Sequence, residues 1–322
     1  MSLRTRAGFL KVKPVGPGSR IGLVAPASPF DRDEFDAGVS ELHRLGFEPV
    51  YDARVFERRG YVAGEAESRA AQLVDYWRRE DVAALVAVRG GYGSLQVFPF
   101  LSLADAQIAR HSRAAFVGYS DTTSVHVWLS ACAGMVSIHG PMIDRRLSAG
   151  PAAYDPLSFC ASLRQEPMGE LRPAGVEVVK AGEAQGPLLG GTLTQLLASL
   201  GTPWAFDPPQ GHVLFLDEVG ERPYRLDRML VQLQQTGLLS RAAGLVFGQM
   251  PKCDEPDGSV TARATVADVL RDFPGPILYG FPSGHTITPL VTLPFGVHAR
   301  MICGAGAPGL MIDEAAAYEG TA

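Results

Sequence analysis

The chain has 322 residues, of which 46% are hydrophobic, 20% charged and 8% aromatic. That apolar share excludes a disordered protein, and at roughly 150 residues per domain the length suggests two domains or one large one. Twenty-nine basic residues against 34 acidic ones leave a formal net charge of −5. With no basic surplus to neutralise a phosphate backbone, nucleic acid is not an expected partner.

The four cysteines, Cys132, Cys160, Cys253 and Cys303, are far apart and form no CxxC pair. Zinc-finger, thioredoxin and disulfide-scaffold readings therefore have no support, and scattered thiols suit a reducing, cytoplasmic compartment. The N-terminal stretch MSLRTRAGFLKVKP lacks the apolar core of a signal peptide. No run of 18 apolar residues occurs, so no membrane span is expected.

The first half alternates strand-like and helix-like segments. Ile21 to Ala25 is a short apolar run stopped by Pro26 and Pro29, which reads as a buried strand entering a loop. Asp33 to Leu45 carries Phe35, Val39, Leu42 and Leu45 at helical spacing and closes on Gly46. Phe47 to Tyr51 reads as a strand, and Glu67 to Arg79 as a helix with Ala70, Leu73, Val74 and Trp77 on one face. Val82 to Val88 is a wholly apolar strand, and Ala114 to Tyr119 another, followed by a helix over Thr122 to Cys132. Continuous apolar strands between amphipathic helices predict a parallel sheet covered on both faces. From Pro151 to Gly186 the pattern loosens, which places a domain boundary near residue 165, giving units 1–165 and 166–322. Beyond it, His212 to Leu216, Ala243 to Phe247, Ile277 to Gly280 and Val297 to Ile302 read as strands. A helix begins at Pro223, a residue suited to a first turn.

Four constellations carry possible chemistry. In FVGYSDTT an apolar strand runs into Ser120 and a helix starts within two residues, so the hydroxyl projects above the sheet edge beside helix N-terminal amides. A plain N-cap at Ser120 or Asp121 is the competing reading. Arg89-Gly90-Gly91-Tyr92-Gly93-Ser94 ends a buried strand, and its glycines let backbone approach a ligand, as an oxyanion donor or a phosphate cradle. A dinucleotide site is disfavoured because the third glycine of GxGxxG is missing. LFLDEVGERPYRLDRML delivers Asp217 and Glu218 at a strand end, and side-chain alternation lets only one of them face the site. A salt-bridged helix start accounts for Glu221 and Asp227 but not for Glu218. Finally, Gly280-Phe281-Pro282-Ser283-Gly284-His285 presents a histidine on a turn, with His126 and His139 as rival bases. Ser120, Glu218 and His285 thus stand in the order nucleophile, acid, base, each at a predicted strand end.

At these residues the chain resembles the LD-carboxypeptidase family of serine peptidases, which includes muramoyltetrapeptide carboxypeptidases and the microcin C7 immunity proteins. The resemblance runs through IGLVAPASP, AVRGGYGS, FVGYSDTT, IHGPM, GPLLGGTLTQLLASLGTPW, LFLDEVGERPYRLDRML, GLVFGQM and GFPSGHT. It implies an α/β fold, with a Rossmann-like or flavodoxin-like N-terminal domain and a smaller C-terminal α/β domain, assembled as a homodimer. It also implies a Ser120–Glu218–His285 triad and an oxyanion hole from the amides of Asp121 and Gly91, with Gly90 the weaker choice. The implied reaction is hydrolysis of the bond between meso-diaminopimelate and the terminal D-alanine of a murein tetrapeptide, without metal or cofactor. An exopeptidase must hold a terminal carboxylate, for which Arg89, Arg145, Arg222 and Arg225 are candidates; Arg225 pairing with Asp217 or Glu221 is an equal alternative. Trp204 either lines the cleft or packs in the core. Two other functions stay open: an immunity-type hydrolase of aminoacyl-nucleotide amides, and a non-catalytic muropeptide-binding protein.

Overall fold

The computed structural model describes residues 8–304 and 306–320, so the first half of the N-terminal stretch read for a leader lies outside the described residues. The first half folds as β1 (Arg20–Val24), α1 (Arg32–Arg44), β2 (Glu48–Val50), α2 (Ala66–Arg78), β3 (Val82–Ala87), α3 (Leu103–Ser112), β4 (Ala115–Gly118), α4 (Thr123–Trp128) and β5 (Ser137–His139). Local signals fix these elements. The Asp31 carboxylate accepts from the amides of Asp33 and Glu34 to start α1, and Phe35 and Leu42, two turns apart, bury its inner face. Ser102 and Asp105 form a reciprocal capping box on α3. The helix expected through Cys132 keeps α geometry only to Trp128; it then widens into a π-type turn over Leu129–Ala133 and stops at Gly134, whose φ is +59°.

The second half adds α5 (Pro156–Ala161), β6 (Gly169–Leu171), β7 (Glu177–Lys180), β8 (Gln185–Thr192), α6 (Leu193–Ser199), β9 (His212–Asp217), α7 (Pro223–Gln235), β10 (Ala242–Gly248), α8 (Ala262–Val269), β11 (Ile277–Phe281), β12 (Leu293–Phe295), β13 (His298–Ile302) and β14 (Gly309–Ile312). No helix among the described residues is long and apolar enough to cross a membrane.

Two sheets result. The first has the order β12-β5-β4-β3-β1-β2, in which β2, β1, β3, β4 and β5 run parallel. The order 2-1-3-4-5 is the flavodoxin-like one, whose ligands bind beyond the carboxyl ends of the strands. The second sheet, β6-β14-β13-β8-β9-β10-β11-β7, has a parallel centre of β8, β9, β10 and β11 with antiparallel flanks. The first sheet is built from strands up to residue 139 together with β12, which returns from the second half to pair antiparallel with β5. Its sequence, Leu-Pro-Phe, is short and carries a proline, which only a sheet edge tolerates. α4 of the first half packs against β8 and α6 of the second. The turns after β3 and β4 therefore meet those after β9 and β11.

Candidate active site

β4 is apolar and buried along its whole length, and it delivers Ser120 onto a turn where φ is +65°. A non-glycine residue in this left-handed region costs free energy, and such strain is typical of functional turns. A short 3-10 turn over Ser120–Thr122 leads directly into α4. The serine hydroxyl thus stands at a helix opening, beside amides that lack intrahelical acceptors.

His285 follows β11 and meets this hydroxyl across the junction of the two halves. Its Nε2 lies 3.0 Å from Ser120 Oγ. On the other side of the ring, Nδ1 lies 2.7 Å from Asp217 Oδ2, and the same oxygen accepts from the His285 backbone amide at 3.0 Å. A carboxylate only accepts, so Nδ1 carries the ring proton and Nε2 is left to accept from the Ser120 hydroxyl. Asp217 has no exposed surface. Its carboxylate sits between two glycines: a Cβ at Gly284 would come within 2.3 Å of Oδ2, and one at Gly248 within 2.9 Å of Oδ1. The glycine before His285 is therefore a space requirement, compounded by its φ of +76°.

The acid on His285 is thus Asp217, and the expectation for Glu218 is corrected by one residue. Successive side chains of a strand end point to opposite sides, and here the alternation sends Asp217 to the histidine. Glu218 turns away to accept from the Thr194 amide at 2.9 Å, the Thr194 hydroxyl at 2.7 Å and the Val219 amide at 3.0 Å. It tethers the first turn of α6. Burial pushes its pKa up, partly offset by these bonds.

The loop after β3 closes the other side. A Cβ on Gly90 would stand 2.9 Å from Ser120 Cβ and 3.2 Å from its Oγ, so only glycine leaves the nucleophile room. Gly91 has a φ of +95°. Ser28 pins the loop by donating its amide to Gly90 O and accepting from the Tyr92 amide. Asp121 holds the far end: its carboxylate accepts from the Ser94 amide at 2.7 Å and from Gln195 Nε2 of α6 at 2.9 Å. The buried Arg69 adds bonds to the carbonyls of Pro26, Gly64 and Gly93.

The remaining candidates separate cleanly. Arg89 precedes Gly90 and lies 3.5 Å from buried Asp144; Arg145 is 3.9 Å from the same carboxylate. Burial lifts Asp144 to about 7, against the opposing charges of Arg89 and Arg145. Arg225 is tied to Glu221 at 3.2 Å on α7, and Arg222 to Glu255. Trp204 is half-buried with its ring 5.6 Å from that of Phe98. His126 is a packing residue: both ring nitrogens are engaged, by Ser137 Oγ and Gly118 O, and burial drops its pKa to about 4. His139 is fully buried, faces Ser283 Oγ through Nδ1 and stacks on Phe295. Sequence reading missed Arg146 and Tyr119 altogether. Arg146 donates to Tyr119 Oη, and the Tyr119 ring stands edge-on to His285 at 5.3 Å. No spacing in the sequence joins these residues, which meet only through the fold.

The sequence pattern of the LD-carboxypeptidase N-terminal domain matches residues 21–140, and that of the LD-carboxypeptidase C-terminal domain matches residues 185–301. A probable murein peptide carboxypeptidase of Bacillus subtilis is 31% identical over 90% of this chain and 91% of its own length. The crystal structure of a muramoyltetrapeptide carboxypeptidase from Oxalobacter formigenes superposes with a TM-score of 0.80 at 28% identity, covering 92% of this chain and 99% of that one. The microcin C7 self-immunity protein superposes with a TM-score of 0.86 at 21% identity, covering 96% of this chain and 100% of that one, a likeness of fold.

Proposed function

Because the chain belongs to the LD-carboxypeptidase family and is a serine-type carboxypeptidase, we propose that its substrate is a murein tetrapeptide, cleaved between meso-diaminopimelate and the terminal D-alanine during cell-wall recycling. The substrate follows the murein-peptidase relatives, and the observation that carries the chemistry is the unbroken hydrogen-bonded series from Ser120 through His285 to Asp217. His285 takes the hydroxyl proton as Ser120 Oγ bonds to the scissile carbonyl carbon. Asp217 holds the imidazole in the required tautomer and stabilises the imidazolium. The carbonyl oxygen becomes an oxyanion, for which the amides of Asp121 and Gly91 are the donors; a helix opening on one side and a glycine turn on the other support this choice. His285 then gives its proton to the D-alanine nitrogen as the C–N bond breaks. Water, deprotonated by the same histidine, releases the acyl group and restores Ser120.

Arg89 is the residue for the terminal carboxylate: although 3.5 Å from Asp144, it directly precedes the glycines against Ser120, whereas Arg222 and Arg225 lie on or beside α7. A cytoplasmic homodimer with functional units 1–165 and 166–322 completes the proposal, as the family resemblance implies. The test is mass-spectrometric detection of D-alanine released from murein tetrapeptide by the wild type and by Ser120→Ala. Release by the wild type and its loss in the variant is expected. Release by both proteins would remove Ser120 from the mechanism. Cleavage of an aminoacyl-nucleotide amide, with the tetrapeptide left intact, would overturn the substrate.

A further inference from the structure

The hydroxyl and the imidazole that meet at 3.0 Å belong to turns 165 residues apart, one from each half of the chain. Their approach depends on how those turns are held together. The Arg146 side chain touches both. Arg146 lies in the turn Ile143–Leu147 after β5, and its half-buried guanidinium donates to four acceptors. Nε bonds Tyr119 Oη at 3.2 Å, Nη1 bonds Ala153 O at 3.0 Å, and Nη2 bonds Gly284 O at 3.1 Å and Thr286 O at 3.3 Å. Tyr119 immediately precedes the serine, and Gly284 and Thr286 flank the histidine on either side. The Tyr119 ring fills the space between, edge-on to His285 at 5.3 Å and beneath the guanidinium at 5.7 Å.

We propose that Arg146 is a positioning residue that sets the approach of His285 to Ser120 across the junction of the two halves. A planar fork with five N–H groups reaches acceptors that diverge in this way; an ammonium is a point charge on a flexible stem and does not hold the same set. The inference rests on the reading of Ser120 as nucleophile. It also carries an electrostatic consequence. His285 faces Asp217 and Glu218 from the end of β9, Tyr119 from the end of β4, His139 from β5, and Arg146. The two carboxylates favour the imidazolium, and Arg146 opposes it. Loss of the arginine therefore raises the histidine's pKa as well as loosening its geometry.

The test measures the rate at which a fluorophosphonate probe labels the full-length protein across a pH series, with Ser120→Ala as blank. This readout reports on serine reactivity without assuming the peptide substrate. Arg146→Gln is expected to label about tenfold to a hundredfold more slowly, with the midpoint of the pH profile moved upward. Arg146→Lys is expected to keep the midpoint near wild type while remaining slow, which separates charge from geometry. Tyr119→Phe removes only one acceptor of the fork and provides a mild companion, expected to slow labelling several-fold. Wild-type rate and midpoint in Arg146→Gln and Tyr119→Phe would overturn the proposal. So would a loss of rate matched by the unfolded fraction in a thermal melt, with the pH midpoint unmoved in both Arg146 variants. No labelling of the wild type would overturn Ser120 as nucleophile, and this inference with it.

Discussion

At the scale of single residues, the chemistry is set by which charges His285 faces. Burial works to lower its pKa, yet the charge and hydrogen bond of Asp217, joined by Glu218, carry it above the usual 6.5. A general base must be neutral to accept a proton, so activity is present above the histidine's pKa and lost as pH falls through it. The acid limb of kcat/KM on the tetrapeptide is therefore expected to have its midpoint above pH 6.5, with activity falling about tenfold per pH unit below that midpoint. A midpoint below the ordinary histidine value would mean that burial outweighs the carboxylates. The same residue scale explains two glycines. Gly284 and Gly248 leave space for the Asp217 carboxylate, and neither is replaceable without pushing on it.

At the scale of elements, the end of β9 is the instructive case. Leu-Asp-Glu puts two carboxylates at the carboxyl end of a buried strand, and alternation dictates that they diverge. The sequence does not specify which one turns toward the histidine, because that depends on how β9 is rotated within its sheet. In the structure Asp217, opposite Thr192 of β8, is the one whose carboxylate meets His285. Glu218 then serves α6, where Thr194 supplies two of its three donors. Thr194→Val removes one neutral donor and is expected to cost about 1 kcal/mol of stability, read as a shift in urea midpoint, with kcat/KM on the tetrapeptide within a few-fold of wild type. A large fall in kcat with unchanged stability would place this cluster in the chemistry instead.

Other elements were legible for identifiable reasons. β3 and β4 are continuous apolar runs, which is how a strand buried on both faces reads, and each ends in the turn that carries site residues. Ser120 was visible as the residue between an apolar strand and the start of a helix. β12 was not visible: three residues with a proline give no periodicity, and their partner β5 lies more than 150 positions earlier. Arg146 was hidden for the same reason, since its acceptors at Gly284 and Thr286 are 138 and 140 residues away.

At the scale of the whole molecule, the two halves must dock closely for Ser120 and His285 to meet. One close approach between the halves lies at the end of β8, against the first residue of α4. Gly191 has a φ of +139°, and a Cβ there would come within 2.4 Å of Thr123 Cγ2 and 2.7 Å of its Oγ1. Next to it, the Thr192 amide donates to Thr123 Oγ1 at 3.0 Å. A methyl group at this seam has nowhere to go except by pushing α4, and with it the serine turn, away from the second sheet. Gly191→Ala is expected to cost about 1–3 kcal/mol of stability and to lower kcat/KM about a hundredfold. Thermal melts beside steady-state kinetics check both, and a variant with wild-type kinetics would show that the seam tolerates more movement than its packing implies.

The central claim is that Asp217, and not its neighbour, orients the histidine that activates Ser120. It is tested most directly by kcat/KM for D-alanine release from murein tetrapeptide in Asp217→Asn and Glu218→Gln, both confirmed folded. Asparagine in place of the acceptor leaves the imidazole free to adopt the wrong tautomer. The expected result is a loss of about three to four orders of magnitude in Asp217→Asn, with Glu218→Gln staying within about tenfold of wild type, as suits a residue that tethers a helix. The reverse ranking, with Glu218→Gln inactive and Asp217→Asn close to wild type, would contradict the account.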